Sequence, residues 1–351
     1  MLIPQEESFM KQFIIAALLG VAATTVWAGT TVKGFPESAS AASIVDTTFV
    51  KEAIKRGAIV WDVRSAEDYK KGHIPGAVNV GDIGKVLRDE NSEDFIEREK
   101  IEKLLGDAGI DLSKEIVVYG AKASPFVYFG RFSVQYFGGK NASVYHGGID
   151  DWKSSGQVVS TETSILEPVK LHIKENAAVA VNTQDVLRDA KRRDVQIVDV
   201  RTLKEYSGED IRALRGGHIP GAVNIPFEQN WVDPETPQKL ARKEVSNNDG
   251  LALKSRDQLK ALYSRLDPAK ETIVYCQSGV RAAETATVLN DLGFKKVKVY
   301  DSSWLGYGNT LSAPAASASY FNVGALNGKM AAMQKRIDTL ERQAAEAKTV
   351  K

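Results

Sequence analysis

A single cysteine, Cys276, stands in 351 residues, so no intramolecular disulfide can form and no cysteine-rich metal site can exist. Excess charge is missing too. The 46 basic and 45 acidic side chains leave a formal net charge of +1, which gives no reason to expect nucleic acid or an anionic membrane as a partner. The apolar run at residues 13–23 falls short of the ~20 residues a membrane span needs. What remains is ordinary globular composition, 43% hydrophobic and 26% charged, in a chain long enough for two domains. A lone cysteine in such a chain is either a small buried apolar residue or a nucleophile, and its neighbours must decide.

Lys11 and Gln12 precede that apolar run, and Val26-Trp27-Ala28 ends in small residues where a signal peptidase cuts. Residues 1–28 therefore read as a signal peptide, with a mature chain from Gly29. Glu6 and Glu7 are out of place in such a leader, and Met10 followed by Lys11 makes a cleaner start. No cysteine follows the run, which excludes a lipid anchor. Export is expected, to the periplasm if the source is a Gram-negative bacterium. Residues 29–43, rich in Ser, Ala, Gly and Thr, read as a flexible lead-in.

The rest is a tandem duplication. Ile59-Val60-Trp61-Asp62-Val63-Arg64 is echoed by Gln196-Ile197-Val198-Asp199-Val200-Arg201, and Gly72-His73-Ile74-Pro75-Gly76-Ala77-Val78-Asn79 returns intact at residues 217–224. Short β-branched runs alternate with helical stretches in each half, the rhythm of a parallel sheet covered by helices. Thr47, Thr183 and the capping box Ser255–Gln258 mark helix starts. Residues 230–250, polar and carrying Pro234 and Pro237, read as a surface excursion; residues 154–178 and 312–319 read as linkers. Beyond them Val323, Leu326, Met330, Met333, Ile337 and Leu340, continued by Ala344 and Ala347, recur by threes and fours. That predicts one amphipathic, coiled-coil-like helix over residues 322–348, either packed on its own domain or offered to a partner, by self-association or to another protein.

The duplication is also an internal control. What both halves share serves the fold: His73 and His218 in the same turn, and the Asp-Val-Arg strand ends, although Arg201 could also face a pocket. Only the second half has the thiol. An apolar strand ends at Cys276, a loop of Gln277, Ser278, Gly279 and Val280 follows, and a helix opens near Arg281. Ligands bind off the carboxyl ends of parallel strands. Backbone N–H groups at a helix start, the helix dipole and Arg281 all favour negative charge on a sulfur placed there. The first half has Gly120 in place of Cys276 and Pro125 in place of Arg281, so its site is dead.

Asp-Val-Arg, Gly-His-Ile-Pro-Gly-Ala-Val-Asn and the strand–Cys–loop–Arg segment together resemble the rhodanese family. The resemblance implies two tandem α/β domains, an inactive one at 44–156 and a catalytic one at 177–310. It also implies sulfur transfer through a Cys276 persulfide, from thiosulfate or 3-mercaptopyruvate to cyanide or an external thiol, without metal or organic cofactor. Residues 277–281 would bind the donor, with Arg201 as a further candidate. The 3-mercaptopyruvate enzymes usually carry Cys-Gly-Ser-Gly-Val-Thr, from which Gln277 and Arg281 depart, so a thiosulfate-like donor is favoured. Two rivals remain. Phosphatases and arsenate reductases of related fold place five residues between Cys and Arg where this chain has four, and a sulfur carrier or binding module would use the same fold without turnover.

Overall fold

The structure, a computed structural model, describes residues 43–349. The expected signal peptide and residues 29–42 of the lead-in lie outside the described residues. Among those described, no helix is long and apolar enough to cross a membrane.

In the first half, β1 (Ile44–Val45), β2 (Ile59–Asp62), β3 (Val78–Asn79), β4 (Ile116–Tyr119) and β5 (Ala142–Tyr145) form one sheet. Its order is β1-β5-β4-β2-β3, and every pairing is parallel. Helices α1 (Thr47–Lys55), α2 (Ala66–Lys71), α3 (Ile83–Val86), α4 (Arg98–Asp107), α5 (Pro125–Tyr136) and α6 (Gly148–Ser154) flank it. The second half repeats the plan with β6 (Ala180–Val181), β7 (Val195–Asp199), β9 (Val223–Asn224), β10 (Glu271–Tyr275) and β11 (Val297–Tyr300), ordered β6-β11-β10-β7-β9, again all parallel. Its helices are α7 (Thr183–Asp189), α8 (Leu203–Ser207), α9 (Thr236–Ala241), α10 (Arg256–Leu262), α11 (Val280–Leu292) and α12 (Ser303–Asn309). β8 (Arg215–His218) pairs antiparallel with β12 (Ala316–Tyr320), and α13 (Val323–Thr349) ends the chain.

The central strands β4 and β10 explain the pattern. All of β4 and residues 272–275 of β10 are completely buried, as a strand covered on both faces must be. Each is followed by a loop and a long helix, and those two helices, α5 and α11, pack on each other. One apolar cluster therefore runs through both halves, from Trp61 and Phe129 to Ala283 and Val288, while the outer face of each sheet has a cluster of its own.

Several local expectations shift by a residue. α1 is capped by Asp46, whose side chain accepts the N–H of Phe49, and α7 by Asn182, which forms a capping box with Asp185; neither Thr47 nor Thr183 is the cap. The Ser255–Gln258 box stands as read. Asn230 and Trp231 are buried, so the surface excursion starts after them. The second half of the stretch read as a second linker, from Ala316, is strand β12. Its register sets Ala316 beside His218 and Ser319 beside Gly216. A Cβ on Gly216 would strike the Ser319 side chain, and one on Gly217 the Ala316 carbonyl. Close approach demands small residues on both strands, and these show no apolar alternation to read. α13 projects with its apolar stripe in water; it is not laid back on its own domain.

Candidate active site

β10 ends at Tyr275, and Cys276 opens a tight loop that α11 closes. The thiol residue is only 1% exposed. Beyond the strand the loop backbone is held by the turn that leads into α12. Ser303 Oγ accepts the N–H of Cys276 and the N–H of Gly279, each at 3.0 Å. Its own proton goes to the Tyr300 carbonyl at 2.6 Å, and it lies 4.0 Å from Cys276 Sγ. In return the Cys276 carbonyl accepts the Trp304 N–H at 3.0 Å, and the Gln277 carbonyl accepts that of Leu305 at 2.9 Å. Two residues take left-handed backbone angles to allow this: Gly279 at φ 81° and Ser303 at φ 47°. At Gly279 a Cβ would run into the Asp301 carboxylate, so glycine is required.

The first domain reaches into this loop. Arg88, with its side chain 3% exposed, donates from Nη2 to the Ser278 carbonyl at 2.7 Å and from Nη1 to Asp301 Oδ1 at 3.2 Å. Its guanidinium lies 4.6 Å over the Phe129 ring. Burial pushes the Asp301 carboxyl up to about 6, against the pull of Arg88.

Among the described residues, the N–H groups of Gln277, Ser278, Val280, Arg281 and Ala282 have no acceptor. The last three form the first turn of α11, where N–H groups point out of the helix end and carry its positive dipole. Of the N–H groups expected to form a cradle, that of Gly279 is committed to Ser303.

Three side chains differ from expectation. Arg281 is not a free cation. It makes a two-pronged ion pair with Glu205, at 2.8 and 2.7 Å. Burial disfavours both charges, yet the pair outweighs it: the Arg281 guanidinium is raised and the Glu205 carboxyl is held down at about 2. Gln277 turns its amide away to the Arg212 carbonyl at 2.6 Å. Arg201 does not face a pocket. It is 1% exposed, donates to both Asp199 oxygens and the Gly217 carbonyl, and lies 4.7 Å over Trp304. Arg64 does the same with Asp62 and Gly72 in the thiol-free half, so the arginine ties strand to turn. His73 and His218 stack on Tyr69 and Tyr206, and each Nδ1 meets the carbonyl of that tyrosine.

Glu205, Ser303, Arg88 and Arg212 escaped the sequence reading. Glu205 had a signal, because Thr202 and Glu205 form a capping box at the start of α8; the same carboxylate then serves Arg281 and, at 3.2 Å, Arg212. Arg212 is half exposed beside this pair, and the Glu228 carboxyl also bears on Arg281. A cleft of about 490 Å³ opens between the domains, with Asp94, Tyr136, Asn182 and Asp301 in its wall, but Cys276 does not line it.

The matching place in the first half is filled. A Cβ on Gly120 would crowd Val127 at 3.1 Å, and the Gly120 carbonyl accepts the Ile149 N–H at 2.9 Å, as Cys276 does from Trp304. By that correspondence Gly148, at φ 55°, stands where Ser303 stands. Pro125 is the first residue of α5, whereas Arg281 is the second of α11.

Two outcomes follow. Ser303→Gly keeps the left-handed turn, as Gly148 does, but strips two loop N–H groups of their acceptor. It should fold, lose about 2 kcal/mol of stability, and transfer sulfur about tenfold or more slowly through misplacement of the loop; a denaturation curve and a turnover assay check this. The Glu205 pair contributes stability in full above the ordinary value of 4.5 and loses it as pH falls toward about 2. Glu205→Gln should be less stable at neutral pH and show a flatter loss of stability across that acid range, read from denaturant midpoints.

The rhodanese-like domain model matches residues 46–155 and again 182–310. A thiosulfate sulfurtransferase of Corynebacterium glutamicum is 36% identical over 269 residues, which is 72% of this chain and 83% of that protein. A sulfur carrier protein of Thermus thermophilus is 32% identical over 263 residues, covering 71% and 86%. Among solved structures, the anaerobic ergothioneine biosynthesis enzyme of Chlorobium limicola superposes with a TM-score of 0.66 at 22% identity, over 78% of this chain and 69% of that one, a likeness of fold. With two matched domains, a duplicated parallel sheet and a sulfurtransferase relative along most of its length, the chain belongs to the rhodanese family.

Proposed function

We propose that this sulfurtransferase moves the outer sulfur of thiosulfate, or of a similar inorganic donor, by way of a persulfide on Cys276. The observation that carries the reading is the seat of that one thiol, at the carboxyl end of β10 and before a helix start whose N–H groups lack acceptors. Cys276, as thiolate, attacks the outer sulfur. A new S–S bond forms, and the donor's own S–S bond breaks with its electron pair leaving on sulfite. Cyanide or an external thiolate then attacks the outer sulfur of the persulfide, and the electron pair of that bond returns to Cys276. The acceptor comes from outside, because the chain has no second cysteine.

The free N–H groups of Gln277, Ser278, Val280 and Arg281 stabilise the persulfide anion, a task that grows as charge moves onto the outer sulfur. Arg281 contributes a field fixed by Glu205, and half-exposed Arg212 draws in the anionic donor. Arg88 and Ser303 hold the loop in shape. The relatives named for thiosulfate support this donor, and four residues between Cys276 and Arg281 suit a single sulfur better than a tetrahedral oxyanion. The relative named as a sulfur carrier favours a second reading, delivery to a docked protein with slow small-molecule turnover.

Steady-state assays separate the two. Thiocyanate formation from thiosulfate and cyanide should saturate in donor and vanish in Cys276→Ser, with 3-mercaptopyruvate the poorer donor. Preference for 3-mercaptopyruvate would overturn the donor assignment. Loading of Cys276 without turnover would favour the carrier.

A further inference from the structure

α13 takes no part in the site. Its start is capped by Asn322, whose Oδ1 accepts the Ala325 N–H at 2.9 Å. From there Val323, Leu326, Met330, Met333, Ile337 and Leu340 are each 43–65% exposed. Every other residue described between 321 and 346 is exposed as well, apart from partly covered Thr339. Most helical stability in proteins comes from packing an apolar face, and Gly324 and Gly328 lower the intrinsic propensity of this helix. Covering the apolar stripe supplies the stabilisation that its own domain does not give.

The residues of the stripe select what covers it. Two apolar positions in seven make a narrow seam, the pattern of a coiled coil and not of a helix lying on a broad surface. Val323, Met330 and Ile337 hold the a positions, and Leu326, Met333 and Leu340 the d positions. β-branched residues at a with leucine at d favour two parallel strands.

Charge agrees. In a parallel pair each g position faces the e position of the next heptad on the other helix, which sets Arg336 against Glu341 of the second copy. Neither has a side-chain partner among the described residues of its own chain. The preceding g–e pair, Lys329 with Gln334, brings no like charges together. A fully overlapped antiparallel pair would instead set Arg336 against Arg336. We propose that α13 pairs with the α13 of a second copy of this chain as a parallel two-stranded coiled coil. Because α13 follows directly from β12, which is hydrogen-bonded to β8, both catalytic domains would sit at the same end of the coil.

Sedimentation equilibrium of the full chain tests this, beside Ile337→Lys and a Leu340→Cys variant in a Cys276→Ala background. The wild type should approach twice the monomer mass with rising concentration. Ile337→Lys should stay monomeric with an unchanged unfolding midpoint for the body. Leu340→Cys should cross-link on mild oxidation, since only the parallel arrangement brings that residue to its own copy. A wild type monomeric at every concentration, including one that instead binds lipid vesicles, would overturn the proposal. So would a trimer mass, association that survives Ile337→Lys, or a dimer that does not cross-link at residue 340.

Discussion

One hydroxyl, Ser303 Oγ, holds together the two segments that make the site. A loop leaving a parallel strand gives up its ladder partners, and its N–H groups must go elsewhere or stay open for a ligand. Ser303 takes two of them, those of Cys276 and Gly279, and leaves the others free. It does so from a left-handed backbone angle that costs a serine and would not cost a glycine. The first half shows the alternative. There Gly148 takes the same turn, Gly120 replaces the cysteine, and neither hydroxyl nor thiol remains. The strain at Ser303 persists in the half with a thiol to position and is absent from the half without one.

Loss of its thiol does not make the first domain dispensable to the second. α5 and α11, the helices that follow the two corresponding loops, pack together, and a shared apolar cluster crosses the boundary. Through that contact Arg88 reaches the Ser278 carbonyl, with Phe129 beneath its guanidinium. His146, kept neutral by burial that lowers it to about 4, bridges the same boundary from Tyr128 to the Leu251 carbonyl. The duplicated sheet thus acts as a brace. An arginine buried at such a boundary is costly unless its donors are matched; here Nη2 is matched by the Ser278 carbonyl of the loop that carries Cys276 and Nη1 by Asp301 in the turn before α12, while Nε has no partner among the described residues.

The sequence made the duplication, the parallel sheets and the position of Cys276 legible because each rests on a local signal: β-branched runs, an eight-residue repeat, one thiol at a strand end. Contacts between distant segments were not legible. Ser303 sits in Asp301-Ser302-Ser303-Trp304, where nothing local says which serine points inward. Arg88 lies 190 residues from its carbonyl acceptor. β12 was hidden because glycines opposite it call for Ala and Ser, which also compose linkers. Arg201 misled for the opposite reason, since an arginine at a strand end near a pocket looks the same whether it faces a ligand or an aspartate.

Sulfur transfer by this chain requires that Cys276 hold a sulfur atom covalently between two transfers. The intact mass of the protein, taken after thiosulfate and again after cyanide, tests it most directly. A gain of one sulfur atom, lost on cyanide and absent when Cys276 is alanine, is expected. No gain on a thiol shown to be reduced, or a gain that survives in the alanine variant, would contradict it.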